Sequence, residues 1–447
     1  MADTLVEGPS VVTTGGVREA DIAIDDGQIV VVGADLEVDA TEHIDADGLV
    51  ALPGVVDVHN HMHDQELFPD GIDFASQTAS AVAGGVTTVV ELPTQTPVTT
   101  PDSFRAKRTA CEELAHIDFG LVAGNFETSD IDASGLLTAG TPDFKTFTAE
   151  PYQASDQTIV NLMDRVGEAG GTVRVHCETQ AILDHARAQI DGNTPDVYMD
   201  SRPLEAELDA ISRAGNFAAY TDCPLHIVHI SSGTGAREAA RIDDRADSPV
   251  TLETCPHYLA FTAEDVAEQG PFLKVNPSLK SPAEQEKLWE AVSDGTIDLV
   301  ASEHFPTYRE QREPGWENIW EPYAGLPTIE TTLEFLVTAG VHGGRIDWPR
   351  LCELVCEEPA RQAGLLGKKG VLEKGADADL VLLAETDWTV TPEKLAYNGN
   401  WTPFDGWEFS AKVETVIAGG DITAESHDVR AEPGDGSFLP RGPANAA

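Results

Sequence analysis

The sequence predicts an α/β protein: a (β/α)8 barrel with a small β-sandwich domain built from both chain ends. Three observations carry this expectation. Between residues 53 and 372, short apolar runs alternate eight times with amphipathic stretches. On either side of that span the texture changes to strands and tight turns. Titratable residues stand at the C-terminal ends of several apolar runs, the end at which a barrel of this kind carries its functional groups. An open doubly wound sheet is the alternative, but no Gly-x-Gly-x-x-Gly follows an early strand, so it ranks below the barrel.

Residues 1–52 form the first part of the expected sandwich. Asp21-Ile22-Ala23-Ile24-Asp25 sets both isoleucines on one strand face, Asp26-Gly27 is a hairpin turn, and Gln28–Gly33 returns. Residues 43–48 read as another strand and turn. The barrel strands are expected at 55–59, 86–92, 117–122, 143–147, 172–176, 225–230, 250–253 and 297–302. Helices are expected between them at 74–83, 154–169, 205–220 and 283–294. Beyond residue 372 the strand texture returns at 370–382 and 413–420, so 373–425 form the second part of the sandwich. Residues 426–447, rich in Pro, Gly and acid, are expected to be a loose tail.

Charge and cysteines narrow the function classes. Seventy-seven Asp and Glu against 28 Lys and Arg give a formal charge of −49. Self-repulsion on that scale opposes a compact state unless salt screens it, so the charge reads as adaptation to a high-salt cytoplasm. It excludes nucleic acid and anionic membrane surfaces as partners. A hydrophobic content of 41% and the absence of long charge blocks argue against a disordered acidic interaction protein. Six cysteines show no Cys-x-x-Cys spacing; Cys352 and Cys356 sit i, i+4 on an expected helix as buried thiols. The opening MADTLVEGPS has no basic n-region or apolar h-region, and no run reaches the ~18 apolar residues of a membrane span, so a cytoplasmic location is expected.

The chemistry begins at Asp57-Val58-His59-Asn60-His61. Two histidines at i, i+2 leave one strand face together, half of a tetrahedral metal site. Alone this is a weak signal, because a strand histidine is more often a satisfied core residue. Other strand ends add to it. Asp143-Phe144-Lys145-Thr146-Phe147 holds a lysine between aromatics, where an ammonium without a partner is costly. The fifth strand ends at His176, the sixth at His229, and the eighth at Glu303-His304. Four histidines, a lysine and a carboxylate at successive strand ends do not fit a purely structural barrel.

These residues and the motifs around them resemble the amidohydrolase superfamily, in its cyclic-amide branch of dihydroorotases, allantoinases and hydantoinases. The carriers are PGVVDVHNH, AGGVTTVVELP, DFKTF, VRVHCE, SRPLEAE, LHIVHISS, VTLETCPHYL and KGVLEKGADADLVLL, and the likeness spans about residues 1–425. It implies two divalent metal ions, usually zinc: one on His59 and His61, the other on His176 and His229. Lys145, carboxylated by CO2, would bridge them as a carbamate, and Glu303 would serve as the catalytic acid–base beside the metals. The branch carries aspartate at that last position; glutamate adds a methylene and moves the carboxylate by roughly 1 Å, a displacement able to cost about 10²-fold in rate.

The resemblance also orders the substrates. Dihydroorotases continue their His-x-His with Phe-Arg, where this chain has Met62-His63, and read Met-Pro-Asn-Thr where it has Leu92-Pro93-Thr94-Gln95. Hydantoinases place a tyrosine five residues after the lysine, here Glu150. The C-terminal half is most similar to allantoinase, making allantoin the leading substrate, with dihydroorotase or hydantoinase (dihydropyrimidinase) activity as the alternative. The loop Met62–Glu66 departs from the family pattern, so His63 and Gln95 are the candidate substrate contacts that replace the missing ones; Glu253, His257 and Asn276, near the end of strand seven, are candidates to line the pocket, with a structural role as the open alternative. A barrel reused as a non-catalytic assembly or regulatory protein is the reading from another class, opposed by the retained metal-ligand set. Relatives imply a small-molecule cyclic amide or ureide as partner and a homo-oligomer, dimer or tetramer.

Overall fold

A computed structural model describes residues 2–64, 67–128, 130–243 and 247–442. Eight parallel strands form the barrel in chain order: Val55–Asn60, Val86–Glu91, Asp118–Leu121, Asp143–Phe147, Thr172–His176, Leu225–Ile227, Val250–Thr254 and Leu299–Val300. The third strand resumes at Ala123–Gly124 to reach the fourth. A parallel bridge between Asn60 and His304, with the His61 N–H donating to the His304 carbonyl at 2.8 Å, joins the eighth strand to the first. Helices cover the outside, each started by local chemistry. Phe74–Ala83 opens on a reciprocal cap between Asp73 and Ser76 and ends at Gly84. Asp156–Ala169 buries Ile159, Leu162, Met163 and Val166, the i, i+3, i+4, i+7 stripe of a helix with one apolar face.

Two of the expected strands end two or more residues before their apolar runs do, for one reason. At 225–230 pairing stops after Ile227, because the His229 N–H is captured by the Glu253 carboxylate at 3.0 Å and His229 turns to φ +41°. At 297–302 it stops after Val300. There Ser302 donates through its N–H and hydroxyl to Asp57, at 2.8 and 2.7 Å, and Glu303 takes φ +47°. Side-chain acceptors at the strand ends outcompete the ladder and aim the next residue inward.

The chain ends build two sheets beside the barrel. In the larger one Leu380–Ala384 runs antiparallel to Val50–Pro53, joining the N-terminal Ser10–Thr13 and Gly16–Glu19 to the C-terminal Lys412–Ala418, Asp421–Glu425 and Asp428–Val429. The smaller orders Gln28–Gly33, Asp21–Asp25, Ala2–Glu7 and Ala40–Asp45. Val6, Ile22, Ile24, Leu380, Leu382 and Ile417 share one core between them. The stretch 370–379, expected to lead a strand, is instead a loop gathered by the ammonium of Lys369, which meets Asp118, Asp377 and Asp379 at 2.7, 2.9 and 2.8 Å.

The expectation of a loose tail is corrected as far as residue 442; residues 443–447 lie outside the described residues. Ser437 and Leu439 bond to the backbone of Phe119 at 3.0 and 2.7 Å, and Phe438 packs edge-on against Phe104 and Phe119. Arg441 is buried against Asp143 and the Leu121 carbonyl. Three apolar or cationic side chains in an acidic, Pro/Gly-rich stretch suffice to fasten it. Cys352 and Cys356, with the other four cysteines, are buried free thiols.

Candidate metal centre and active site

Strands four and five lay out the site by their period of two. Asp143 and Lys145 share one face of strand four, and Arg174 and His176 share one face of strand five, with Lys145 opposite Arg174 across the ladder. The first residue of each pair points into the N-terminal end of the barrel; the second enters the C-terminal mouth.

At the mouth, carboxylates fix the orientation and tautomer of the histidines. Glu253, fully buried on strand seven, receives His59 Nδ1 at 2.5 Å and His226 Nε2 at 3.0 Å besides the His229 N–H. Burial acts to raise this carboxyl, yet His59 and His226 hold it well below its ordinary value, so it stays ionised. A donated Nδ1–H leaves His59 Nε2 as a bare lone pair, and that buried atom has no hydrogen-bond partner. His176 is fixed in the opposite sense: its Nε2 meets Glu178 at 2.9 Å, freeing Nδ1, which lies 2.9 Å from His229 Nε2. Two nitrogens on one tetrahedral zinc lie roughly 3.3 Å apart, so this spacing suits a shared ion. His61 is held at Nδ1 by the Thr94 hydroxyl at 3.2 Å.

Lys145 and Glu303 complete the cluster. Lys145 is fully buried and its Nζ has no partner; burial draws the ammonium down to about 8. Glu303, on its left-handed backbone, groups with His59 and His61 so that one donor atom from each lies within 4.8 Å of the others. Burial pushes its carboxyl up to about 8, and its Oε2 is likewise unpartnered. Orphaned lone pairs on His59 and Glu303, a paired set on His176 and His229, and a buried amine between aromatics fit the donor set expected for two divalent ions. The extra methylene of glutamate does not carry its carboxylate away from His59 and His61.

A pocket of about 150 Å³ opens over this cluster, with His61, His176 and Glu303 at its base. Its walls come largely from loops: Leu67, Thr94, Phe147, Tyr152, Phe305 and Tyr323. Gly325 also lines it at φ +134°, where a Cβ would stand 2.4 Å from that of Phe305.

The residues expected at the pocket divide. Asn276 lines the pocket, its Oδ1 accepting from the Tyr198 hydroxyl. His257 stands behind the wall, fully buried, 3.9 Å from Glu303. His63 and Gln95 are not brought to the pocket. His63 lies edge-on to Phe74, while Gln95 is exposed and uses its N–H to bond Asp64 at 2.6 Å. Asp64, in the altered loop, also accepts from the N–H and hydroxyl of Thr96, at 2.7 and 3.2 Å, tying the loop after strand one to the loop after strand two. Gln65 and Glu66 lie outside the described residues. Tyr152, two residues beyond Glu150, lines the pocket, and burial pushes its phenol up to about 12. Among the described residues no helix is long and apolar enough to cross a membrane.

Comparisons with known proteins agree with this geometry. A profile of the amidohydrolase family matches residues 50–423. An allantoinase of Rubrobacter xylanophilus is 36% identical, covering 96% of each chain. An L-hydantoinase of Paenarthrobacter aurescens is 32% identical over 99% of this chain and 98% of its own. The solved L-hydantoinase (dihydropyrimidinase) from Arthrobacter aurescens superposes with a TM-score of 0.93 at 31% identity, covering 99% of this chain and all of that one. The chain belongs to the amidohydrolase family, and with it to the hydrolases.

Proposed function

We propose that this protein hydrolyses a C–N bond in the ring of a cyclic ureide or amide, using two divalent metal ions, zinc in the first instance. His59, His61, His176, His229 and Glu303 would hold the ions, and Lys145, as its CO2 carbamate, would bridge them. The observation that carries this reading is the buried, unpartnered amine of Lys145 among four inward histidines. An isolated cation there is costly; as a carbamate the same side chain is an anion matched to metal charge. The value of about 8 leaves part of the lysine as free amine, the form that adds CO2.

When bound, such ions polarise a scissile carbonyl and bring a water's pKa to near neutrality. The remaining steps belong to the chain. In this reading Glu303 would accept the proton of the attacking water and hand it to the leaving ring nitrogen. Tyr152 keeps its phenolic proton and can donate it in a hydrogen bond to a ring carbonyl oxygen. Glu253 and Glu178 keep His59 and His176 in single tautomers. Leu67, Phe147 and Phe305 exclude water from the pocket.

Allantoin is the leading substrate, supported by the allantoinase relatives. The apolar and aromatic wall supports a second, a hydantoin with an apolar substituent at C5, as does the L-hydantoinase likeness. The acidic surface supports work in a high-salt cytoplasm, and assembly as a dimer or tetramer is part of the same reading. The test is turnover by purified protein in high salt with zinc and bicarbonate, against allantoin, hydantoins, dihydroorotate and dihydrouracil. Ring opening of at least one ureide is expected, with about two metal ions per chain. No turnover of any of them overturns the proposal.

A further inference from the structure

Beside the pocket lies a second chamber of about 430 Å³. The two share Glu150, Pro151, Asn276, Tyr323 and Ala324 as a common wall. In a chain with 77 acidic residues the deep end of this chamber is cationic. Lys274 is 6% exposed and donates to the Pro322 carbonyl. Arg312, fully buried behind it, donates to the carbonyls of Pro271, Lys274 and Tyr323. Among the described residues neither has a carboxylate partner. Arg202, the next cation in the wall, pairs with Glu178. The Tyr198 ring lies 5.0 Å from Lys274 Nζ and 5.9 Å from the Arg202 guanidinium. Burial, with Arg312 and Arg202 nearby, draws the Lys274 ammonium down to about 7. The acids of the wall, Glu150, Asp184 and Glu321, are exposed at its rim.

Ring opening turns a neutral substrate into an anion. The oxygen of water joins the carbonyl carbon, the ring C–N bond breaks, and the nitrogen keeps one proton while the other leaves as the new acid ionises. We propose that the chamber is a carboxylate subsite, built on Lys274 with Arg202, that receives the ureido acid released from the pocket. The identity of this ligand rests on ring hydrolysis as the reaction; the subsite does not. A buried cation short of one negative charge gains most from a ligand that brings it, and burial protects the interaction from salt. The acidic rim then favours onward release to solvent.

A structural role for Lys274, pinning residues 320–325 through Pro322, would treat charged and neutral ligands alike, and the test turns on that difference. Binding of N-carbamoylglycine and of N-carbamoylglycinamide to the metal-loaded protein is measured by calorimetry in high salt, for the wild type, Lys274→Met and Lys274→Arg. The preference of the wild type for the acid over the amide is expected to fall about fivefold or more in Lys274→Met and to be kept in Lys274→Arg. A smaller fall in Lys274→Met, or equal weakening of both ligands, overturns the proposal. Lysine footprinting of the wild type with acetic anhydride needs no variant: the acid should shield Lys274 and the amide should not, and equal labelling overturns the proposal. Because both readouts are equilibrium binding, they fail independently of the turnover assay.

Discussion

The two ends of the barrel bury similar charges and treat them in opposite ways. At the N-terminal end Asp143 meets Arg174 at 2.9 Å and Arg441 closer still, and Arg174 also reaches Gln362 and the Val58 carbonyl at 2.5 and 2.6 Å. Burial alone would raise Asp143, but the two guanidiniums hold it at about 2. At the C-terminal end, one strand-pleat away, burial prevails: Lys145 is drawn down and Glu303 pushed up, and both keep polar atoms without partners. Charges that serve the fold are neutralised within it. Under the proposed function, Lys145 and Glu303 are left short of partners so that metal ions arriving from outside complete them.

The contrast breaks most visibly at Lys145. Lys145→Met should lower kcat/KM by about 10⁴-fold and remove bound metal, while the Tm of the metal-free protein stays level or rises because an uncompensated buried cation has gone. A metal-free Tm several degrees lower than that of the metal-free wild type would place Lys145 with the structural charges instead. Asp143→Ala should do the reverse. It leaves Arg174 and Arg441 facing each other and should cost roughly 3–5 kcal/mol in denaturant unfolding, with near-normal turnover per folded molecule. A loss under about 1 kcal/mol would remove the N-terminal end from the comparison.

A third buried cluster sharpens the contrast with a smaller effect. His427 stands between Glu330 and Glu334, 3.2 Å from each. Burial opposes its charge, yet the two carboxylates raise it to about 10. Its folded value exceeds its unfolded one of about 6.5, so its contribution to stability is complete below pH ~6.5 and is lost as pH rises through about 10. The Tm difference between wild type and His427→Gln should therefore be a few degrees at pH 6 and shrink toward pH 10. A difference that is constant with pH would contradict the pairing.

What could be read from the chain follows the same division. His59, His61, Lys145, His176, His229 and Glu303 were legible because each interrupts an apolar run at a strand end, a pattern visible without neighbours. The role of Glu253 was not. Its standing as the acceptor that orients His59 and shortens strand six depends on strands 194 and 24 residues away in sequence. Arg441 was hidden in a stretch whose composition speaks for solvent, and only the N-terminal mouth of the barrel reveals its partner. The pocket walls come from loops, where no periodicity says which side chain turns inward. His63 and Gln95 are expected at the pocket because the loops that carry them depart from the family pattern, but the backbone directs His63 against Phe74 and leaves Gln95 exposed.

Asp64 has an implication for how this pocket can be changed. By accepting two backbone N–H groups and a hydroxyl from residues 95 and 96, it makes the loops after strands one and two a single mechanical piece. Grafting either loop alone from a relative would take these three donors from Asp64 or leave them unanswered. Redesigning this mouth therefore calls for the two loops to be exchanged together.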